Sequence, residues 1–549
     1  LAALAVSLSM HGQKAAVEKI VDMALNDNKA MEHLDVLSNR FGGRLVGSDA
    51  YENAALWAMG QFQSWGLEAH LEEAGEIGVG FNRGPWFGRV LGGDLGFTHL
   101  YFTTPSYTSG TKGVQRGHVV LEPRSMAAFE RVKGALKGAW VLLESPSTGW
   151  AIDSSAEGDK KREEALKDKE STEPCILYRQ MVDAGVLGFI QSTTVPIRTL
   201  YDKGVVKNPE ITFETLPTVP DIKLDEKQFN EIKRVVSERR DVFLEFDIRN
   251  HFKPGPIKYH SVVACIKGSK YPEESVILSG HLDAYDVATG GVDCGSGSSA
   301  VMEAARMIAL SGAKPKRTMY FILFAAEEFG LLGAEAWVKA HPEKLDGISN
   351  MFNRDGGPLA YTSFSVPASL VDEFEKISEP LREAYPDYGF TINAMTPRAR
   401  PTSTGGTDAS VFSIRGVPTV GMRETDAKGY DFQYREIWHT ERDTFTEIAN
   451  KLNRSKVKRD EYIANFIAPV KEALLKAGLN FEIKGRTKSI NSIYNKMVKQ
   501  NADVDDIYDL FAIRIIIDTA EAKEKTEKEP KEKDGEKSKK KRRRFIEQY

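Results

Sequence analysis

Cysteine is nearly missing from this sequence. Three residues of 549, Cys175, Cys265 and Cys294, stand in unrelated contexts with no Cys-x-x-Cys spacing, so no disulfide scaffold is implied. Long apolar runs are missing too. Leu1-Ala-Ala-Leu-Ala-Val-Ser-Leu-Ser9 is too short to cross a bilayer, and no membrane span is expected. That stretch is rich in small residues and runs into polar Met10-His-Gly-Gln13, which reads as the tail of a secretory signal cleaved between Ser9 and Gln13. The expectation is a periplasmic or extracellular protein, with a buried or frayed terminal helix as the alternative. A dominant charge is the third absence. Net charge is −4, and Thr519 to Tyr549 holds twelve Lys or Arg against eight Asp or Glu. The main body is therefore more acidic than the whole, and no nucleic acid is expected as a partner. The length, with 41% hydrophobic residues, allows about three domains, each able to bury a core.

What the sequence does have is a set of acidic residues and histidines, each placed where an expected strand has just ended. Val276-Ile-Leu-Ser-Gly-His281-Leu-Asp283 is a strand-like apolar run that breaks at Gly280 and delivers His281 and Asp283 at its C-terminal end. His-x-Asp suggests a metal ligand and its orienter. A metal-bound imidazole usually donates its other N–H to a carboxylate, which fixes the tautomer, and Asp283 is read in that supporting role. Gly290-Gly-Val-Asp293-Cys-Gly-Ser-Gly-Ser-Ser299 then feeds a helix with the apolar face Val301, Ala304, Ala305, Ile308 and Ala309. Glycine-rich loops ahead of helices bind anions, but here there is no Lys-Ser or Lys-Thr ending, and Asp293 would repel a phosphate.

The run Met319-Tyr-Phe-Ile-Leu-Phe324 is apolar throughout, as a strand covered on both faces should be, and it ends in Ala325-Ala-Glu327-Glu328. Adjacent carboxylates raise each other's pKa unless a cation neutralises them. The economical account gives one Glu to a metal and leaves the other as general base; the alternative is a solvated helix N-terminus that favours acids. Ile348 to Asn353 ends at Arg354-Asp355-Gly-Gly, and a late segment reads Ile437-Trp-His439-Thr-Glu-Arg-Asp443-Thr. Open α/β sheets bind ligands at the carboxyl ends of their strands, so the recurrence describes one site assembled from distant loops. The fold class expected is α/β, a mixed and mainly parallel sheet with helices on both faces.

These residues resemble the co-catalytic di-zinc exopeptidases, in particular the carboxypeptidase Q (plasma glutamate carboxypeptidase) branch, over about residues 14–448. The branch pattern His-Leu-Asp-x-x-Asp-Val-x-x-Gly-x-x-Asp is met from His281 to Asp293, and the Glu327-Glu328 pair and the His439-Thr-x-x-Asp-Thr segment match too. The resemblance implies two Zn2+ per chain, with Asp293 bridging, His281 and Asp355 completing one site, and Glu328 and His439 the other. Glu327 then becomes the general base, and the substrate a dipeptide or small peptide. Two zinc ions would activate a shared water and polarise the scissile carbonyl, and Glu327 would carry its proton to the leaving amine. A noncatalytic binding protein on the same fold is the alternative, and the branch tends to form homodimers. Cys294 departs from the family, which often has Asp or Asn there, and we read it as packing.

Gly42-Gly43-Arg44 resembles a family loop between two helices. Residues 113–240 change character to short strands and lysine-rich stretches and resemble a protease-associated domain, read as a lid over the cleft that limits substrate size, with a plain solubilising insert as the alternative. Residues 14–112 and 241–448 are then the two parts of the catalytic domain, after a signal remnant at 1–13. Val242–Ile248 and His260–Ile266 read as alternating strands of the catalytic sheet. Asp408, in Thr404-Gly-Gly-Thr-Asp408, resembles a cleft-lining position, and Tyr434 and Trp438 are candidate subsite walls.

Beyond Ala449 the chain changes again. A helical stripe, Ile463, Phe466, Ile467, Val470 and Leu474, ends at Gly478 and is expected to cover the surface that the family's final helix covers. Residues 449–518 then resemble part of the synthetase domain of the stringent-response enzymes. That resemblance implies nucleotide-binding roles for Arg486, Lys488, Ser492 and Lys496, with Asp509 on magnesium. It departs at Asn491, where the family has Tyr, and lacks a later acidic residue, so a nucleotide pyrophosphokinase is the least favoured reading. Residues 519–549 read as a disordered charged tail.

Overall fold

Period-two alternation of apolar side chains builds the first sheet. Along strand His251–Ile266, Val262 and Ala264 enter one core while Val263 enters another, and along Arg317–Phe324 Phe321 and Leu323 part from Ile322 and Phe324 in the same way. Successive side chains point to opposite faces of a sheet, so both faces are buried. Helices Asp49–Ser64 and Gly297–Leu310 supply Ala54, Ala58, Phe62, Val301 and Ala305 to the first core. Helix Leu332–Ala340 supplies Trp337 and Val338 to the second. Ser48 caps Asp49–Ser64, its side chain accepting from the Tyr51 amide at 3.1 Å.

The computed structural model describes residues 2–168, 170–200, 213–396, 399–430, 432–454, 471–472, 474–476, 481–487, 511–517 and 544–547. The chain packs as two units, Leu1–Ile448 and Ala449–Tyr549. In the first, a five-stranded mixed sheet runs in the order Glu68–Asn82, His251–Ile266, Arg317–Phe324, Tyr271–His281, Ile348–Asn353. The pairings of Tyr271–His281 with its two neighbours are parallel, and the other two are antiparallel. His281 pairs with Phe324 and Ser279 with Asn353. His281 and the loops that carry Glu327, Glu328 and Asp355 therefore lie together at the carboxyl ends of three parallel strands.

A second, seven-stranded sheet takes strands from Trp86–Val90 through Phe243–Ile248, a wider span than the 113–240 of the sequence reading. Here one expectation is corrected. Phe243–Ile248 does not join the catalytic sheet; it pairs with Trp86–Val90 and Gln115–Leu121, and Leu244, Phe246 and Ile248 enter the core of the second sheet. Alternation identifies a strand but not the sheet that receives it. A three-stranded sheet, Thr391–Met395, Tyr361–Pro367 and Gly421–Glu424, completes the unit. At the N-terminus Ala2–Asn26 is helical, and no helix among the described residues is long and apolar enough to cross a membrane.

In the second unit Phe481–Thr487 pairs antiparallel with Phe511–Ile517 in unbroken register. Arg544–Glu547, within the segment 519–549 read from the sequence as a disordered charged tail, adds a third antiparallel strand. Phe545-Ile546 after the basic run is a strand-forming pair. Residues 455–470, most of the expected helical stripe, lie outside the described residues.

Candidate metal centre

The carboxyl ends of the parallel strands gather two imidazoles and a group of carboxylates. His281 Nε2 lies 3.1 Å from Asp293 Oδ1 and 3.2 Å from Asp355 Oδ1. His439 Nε2 lies 3.4 Å from Asp293 Oδ2 and 3.1 Å from Glu328 Oε2. Asp293 thus presents one oxygen to each imidazole. The neighbouring glutamates part company: Glu328 faces His439, whereas Glu327 Oε2 stands 3.9 Å from His281 Nε2. Tyr434 donates its hydroxyl to Asp293 Oδ2 at 3.4 Å.

Two turns in the left-handed region aim these side chains. Ala326, just before Glu327, has φ 55°, and His439 itself has φ 57°. Non-glycine residues held there cost of order 1–3 kcal/mol and collect at functional sites. The His439 ring packs against Tyr285 and Trp438, with centroids 4.1 and 4.2 Å away.

Supporting contacts come from residues whose importance is only partly visible in the sequence. Asp283 accepts the amides of Glu327 and Glu328, both at 3.2 Å. His281 Nδ1 is 3.0 Å from the Asp283 carbonyl and 3.6 Å from its carboxylate, so the backbone oxygen is the closer partner. Asp443 accepts the amides of Val292 at 2.6 Å and Asp293 at 3.3 Å. Fully buried Arg44 donates to the carbonyls of Leu37, Gly42, Leu282, Thr289 and Gly290, tying the loop after His281 to the loop before Asp293. Gly43 beside it has no room for a side chain, since a Cβ would sit 2.5 Å from the Asp286 Cα. Spacing offers one hint for each: two glycines before Arg44, and four residues from His439 to Asp443.

The electrostatics fit a cation. Burial pushes Glu327 up to about 11, with repulsion from Glu328, Asp408 and Asp355 adding, and Glu328 up to about 7, with repulsion from Asp293 adding. Burial would depress His439, but Glu328 and Asp293 outweigh it and lift the ring to about 9. Burial raises Asp293 as well, yet its contacts with His281 and His439 hold it well below the usual carboxylate range. Neither His439 nitrogen is in hydrogen-bond geometry among the described residues. Ligand atoms of His281, Asp293 and Glu328 all lie within 4.8 Å of one another, as do those of His281, Cys294 and Asp355. Crowded carboxylates facing unbonded imidazole nitrogens are relieved by a divalent cation, and this mixed N/O donor set suits zinc. Cys294 is buried, with Sγ 3.3 Å from the Arg354 carbonyl.

Other sequence candidates fall in different places. Asp408 is fully buried, burial raises its pKa strongly, and neither oxygen has a hydrogen-bond partner among the described residues. Trp438 carries Arg198 over its ring at 4.0 Å, and Arg198 belongs to the second sheet's region. Its neighbour Thr199 donates its amide to the His439 carbonyl at 3.2 Å, and Tyr101 donates to Glu441 at 2.7 Å. The sequence reading missed these contacts. Arg486 lies on strand Phe481–Thr487 opposite Ala512; Lys488, Ser492, Lys496 and Asp509 lie outside the described residues.

Residues 261–459 match peptidase family M28. The M28 segment contains His281, Asp293, Glu327, Glu328, Asp355 and His439, and Arg44 lies outside it. A separate match, to the region found in RelA / SpoT proteins, covers residues 485–547. Carboxypeptidase Q of Mus musculus is 23% identical over 443 residues, covering 77% of this chain and 82% of that protein. GTP pyrophosphokinase of Photobacterium angustum is 30% identical over 97 residues, 18% of this chain and 12% of that protein. Among solved structures, a peptidase M28 precursor from Shewanella amazonensis SB2B aligns with TM-score 0.49 and 21% identity, over 80% of this chain and 92% of that one.

Proposed function

We propose that this chain is a zinc metallo-exopeptidase that hydrolyses dipeptides or small peptides at a two-zinc centre. The observation that carries the reading is Asp293, whose two oxygens face His281 and His439 separately. His281 and Asp355 would hold one zinc and Glu328 and His439 the other, with Asp293 shared. Zinc bound there supplies Lewis acidity toward a carbonyl and lowers the pKa of water.

The chain's own groups do the rest. Glu327, turned away from His439, takes the proton of the attacking water and returns it to the leaving amine. Asp283 holds the backbone of both glutamates, and Asp443 that of Asp293, so the carboxylates need not reorganise as charge develops. Tyr434, whose hydroxyl donates to Asp293 Oδ2, is read as a wall of the substrate subsite beside the centre. The second sheet's contacts with the His439 segment support reading it as a protease-associated insert that walls the cleft and limits substrate size. A noncatalytic binder has no use for an added buried carboxylate such as Glu327.

The test is metal content and hydrolysis together. Purified protein should hold two zinc ions per chain and cleave unblocked dipeptides until a chelator is added. Glu327→Gln should lower kcat by about a thousandfold or more with metal content unchanged. A single bound metal, or full activity in Glu327→Gln, would overturn the reading.

A further inference from the structure

Beside Asp355 opens a cavity of about 330 Å³. That is the low end of the volume range of ligand pockets, ~300–1,000 Å³, and suits one amino-acid residue. Met351, Val420 and Met422 give it an apolar wall, and Asp355 and Glu424 line it with negative charge. Asp355 Oδ1 is 3.2 Å from His281 Nε2, so the cavity adjoins the metal centre.

Glu424, half-buried at the end of strand Gly421–Glu424, is short of partners. Its Oε1 accepts no hydrogen bond among the described residues. The nearest cation, Arg354, has Nη2 3.4 Å away, but that nitrogen donates to the carbonyls of Gly357 at 2.9 Å and Leu359 at 2.7 Å. The Arg354 guanidinium is also stacked over Tyr361 at 4.4 Å. Gly357 leaves room for the carboxylate, because a Cβ there would stand 2.1 Å from Glu424 Oε2. Burial, with Asp355 adding, pushes Glu424 up to about 7 against the pull of Arg354.

Building on the exopeptidase reading, we propose that this cavity holds one residue of the substrate and that Glu424 receives a cationic nitrogen of that residue. A substrate carboxylate would meet the like charge of Glu424 there, with Asp355 committed to the metal, and is disfavoured. The methionines and Val420 match an apolar stem. The nitrogen is a free α-amine or a lysine-type ammonium, and the test separates the two.

Zinc-loaded full-length protein and its Glu424→Gln variant are assayed on Lys-Ala, norleucine-Ala and N-acetyl-norleucine-Ala, with Glu424→Asp as a second variant that keeps the charge. Loss of a charged hydrogen bond should lower kcat/KM by about tenfold or more. A loss confined to Lys-Ala assigns Glu424 to the side chain. A loss on both free dipeptides but not the acetylated one assigns it to the α-amine. Equal values for wild type and Glu424→Gln on every substrate overturn the proposal. If no dipeptide is cleaved, the exopeptidase reading fails by itself, and calorimetric binding of L-lysine, L-norleucine and N-acetyl-norleucine decides the pocket. Weaker amine binding in Glu424→Gln then sustains the proposal, and unchanged binding overturns it.

Discussion

Glu327 and Glu328 are neighbours in sequence with different surroundings, and on the proposed reading a divalent cation separates their roles further. Before a cation binds, His439 is lifted to about 9 and Glu327 to about 11, so both hold a proton at pH 7, and the surrounding acidic groups raise His281 above the ordinary imidazole range despite its burial. Loading the site must displace those protons, because metal ligands and a general base act in their deprotonated forms. The sign follows: zinc affinity rises with pH. Between pH 6 and 8 the association constant should climb about tenfold or more per pH unit. Calorimetry in buffers of different ionisation enthalpy should show more than one proton released per chain, and pH-independent binding would contradict the charge arrangement. At this scale His281, Asp293, Glu328 and Asp355 are legible in the sequence because each breaks an apolar or glycine-rich pattern abruptly, whereas His439 follows the short helix Tyr434–Ile437 rather than the expected strand and is marked only by the His-Thr-x-x-Asp-Thr spacing. Glu424 is not legible, since it ends a four-residue strand and its significance rests on the distant residues Arg354 and Gly357.

Elements are held to one another by groups the sequence marks poorly. Arg44 reaches carbonyls on two loops more than two hundred positions away, and no local pattern announces such a partner. Arg44→Lys keeps the charge but loses the planar fork that serves several carbonyls at once. We expect about 3 kcal/mol of lost stability from buried carbonyls left unpaired and a ~10–100-fold drop in zinc affinity from loosened supporting contacts. Denaturant unfolding and chelator competition measure the two. Strands of the first sheet were readable because both faces are buried, so apolar runs such as Met319–Phe324 stand out. Phe243–Ile248 has the same kind of alternation, and its destination depends on pairing with Trp86–Val90, which periodicity does not encode.

For the whole molecule, every group assigned to the metal centre lies within Leu1–Ile448. A chain ending at Arg454, the last residue of helix Phe445–Arg454, should therefore keep its zinc content and its dipeptide activity within about twofold. A large loss of either would tie the 485–547 region to the peptidase site.

The second sheet's region meets the metal centre through main chain as well as side chains. Ile197 accepts the Glu441 amide while Thr199 donates to His439, so a two-way backbone clasp holds the segment that carries His439. A swing of that sheet wide enough to open the cleft would pull on His439. On the proposed two-zinc reading, cleft opening and metal retention would then be one mechanical variable, and a substrate too large for the cleft would be refused by the metal's own grip.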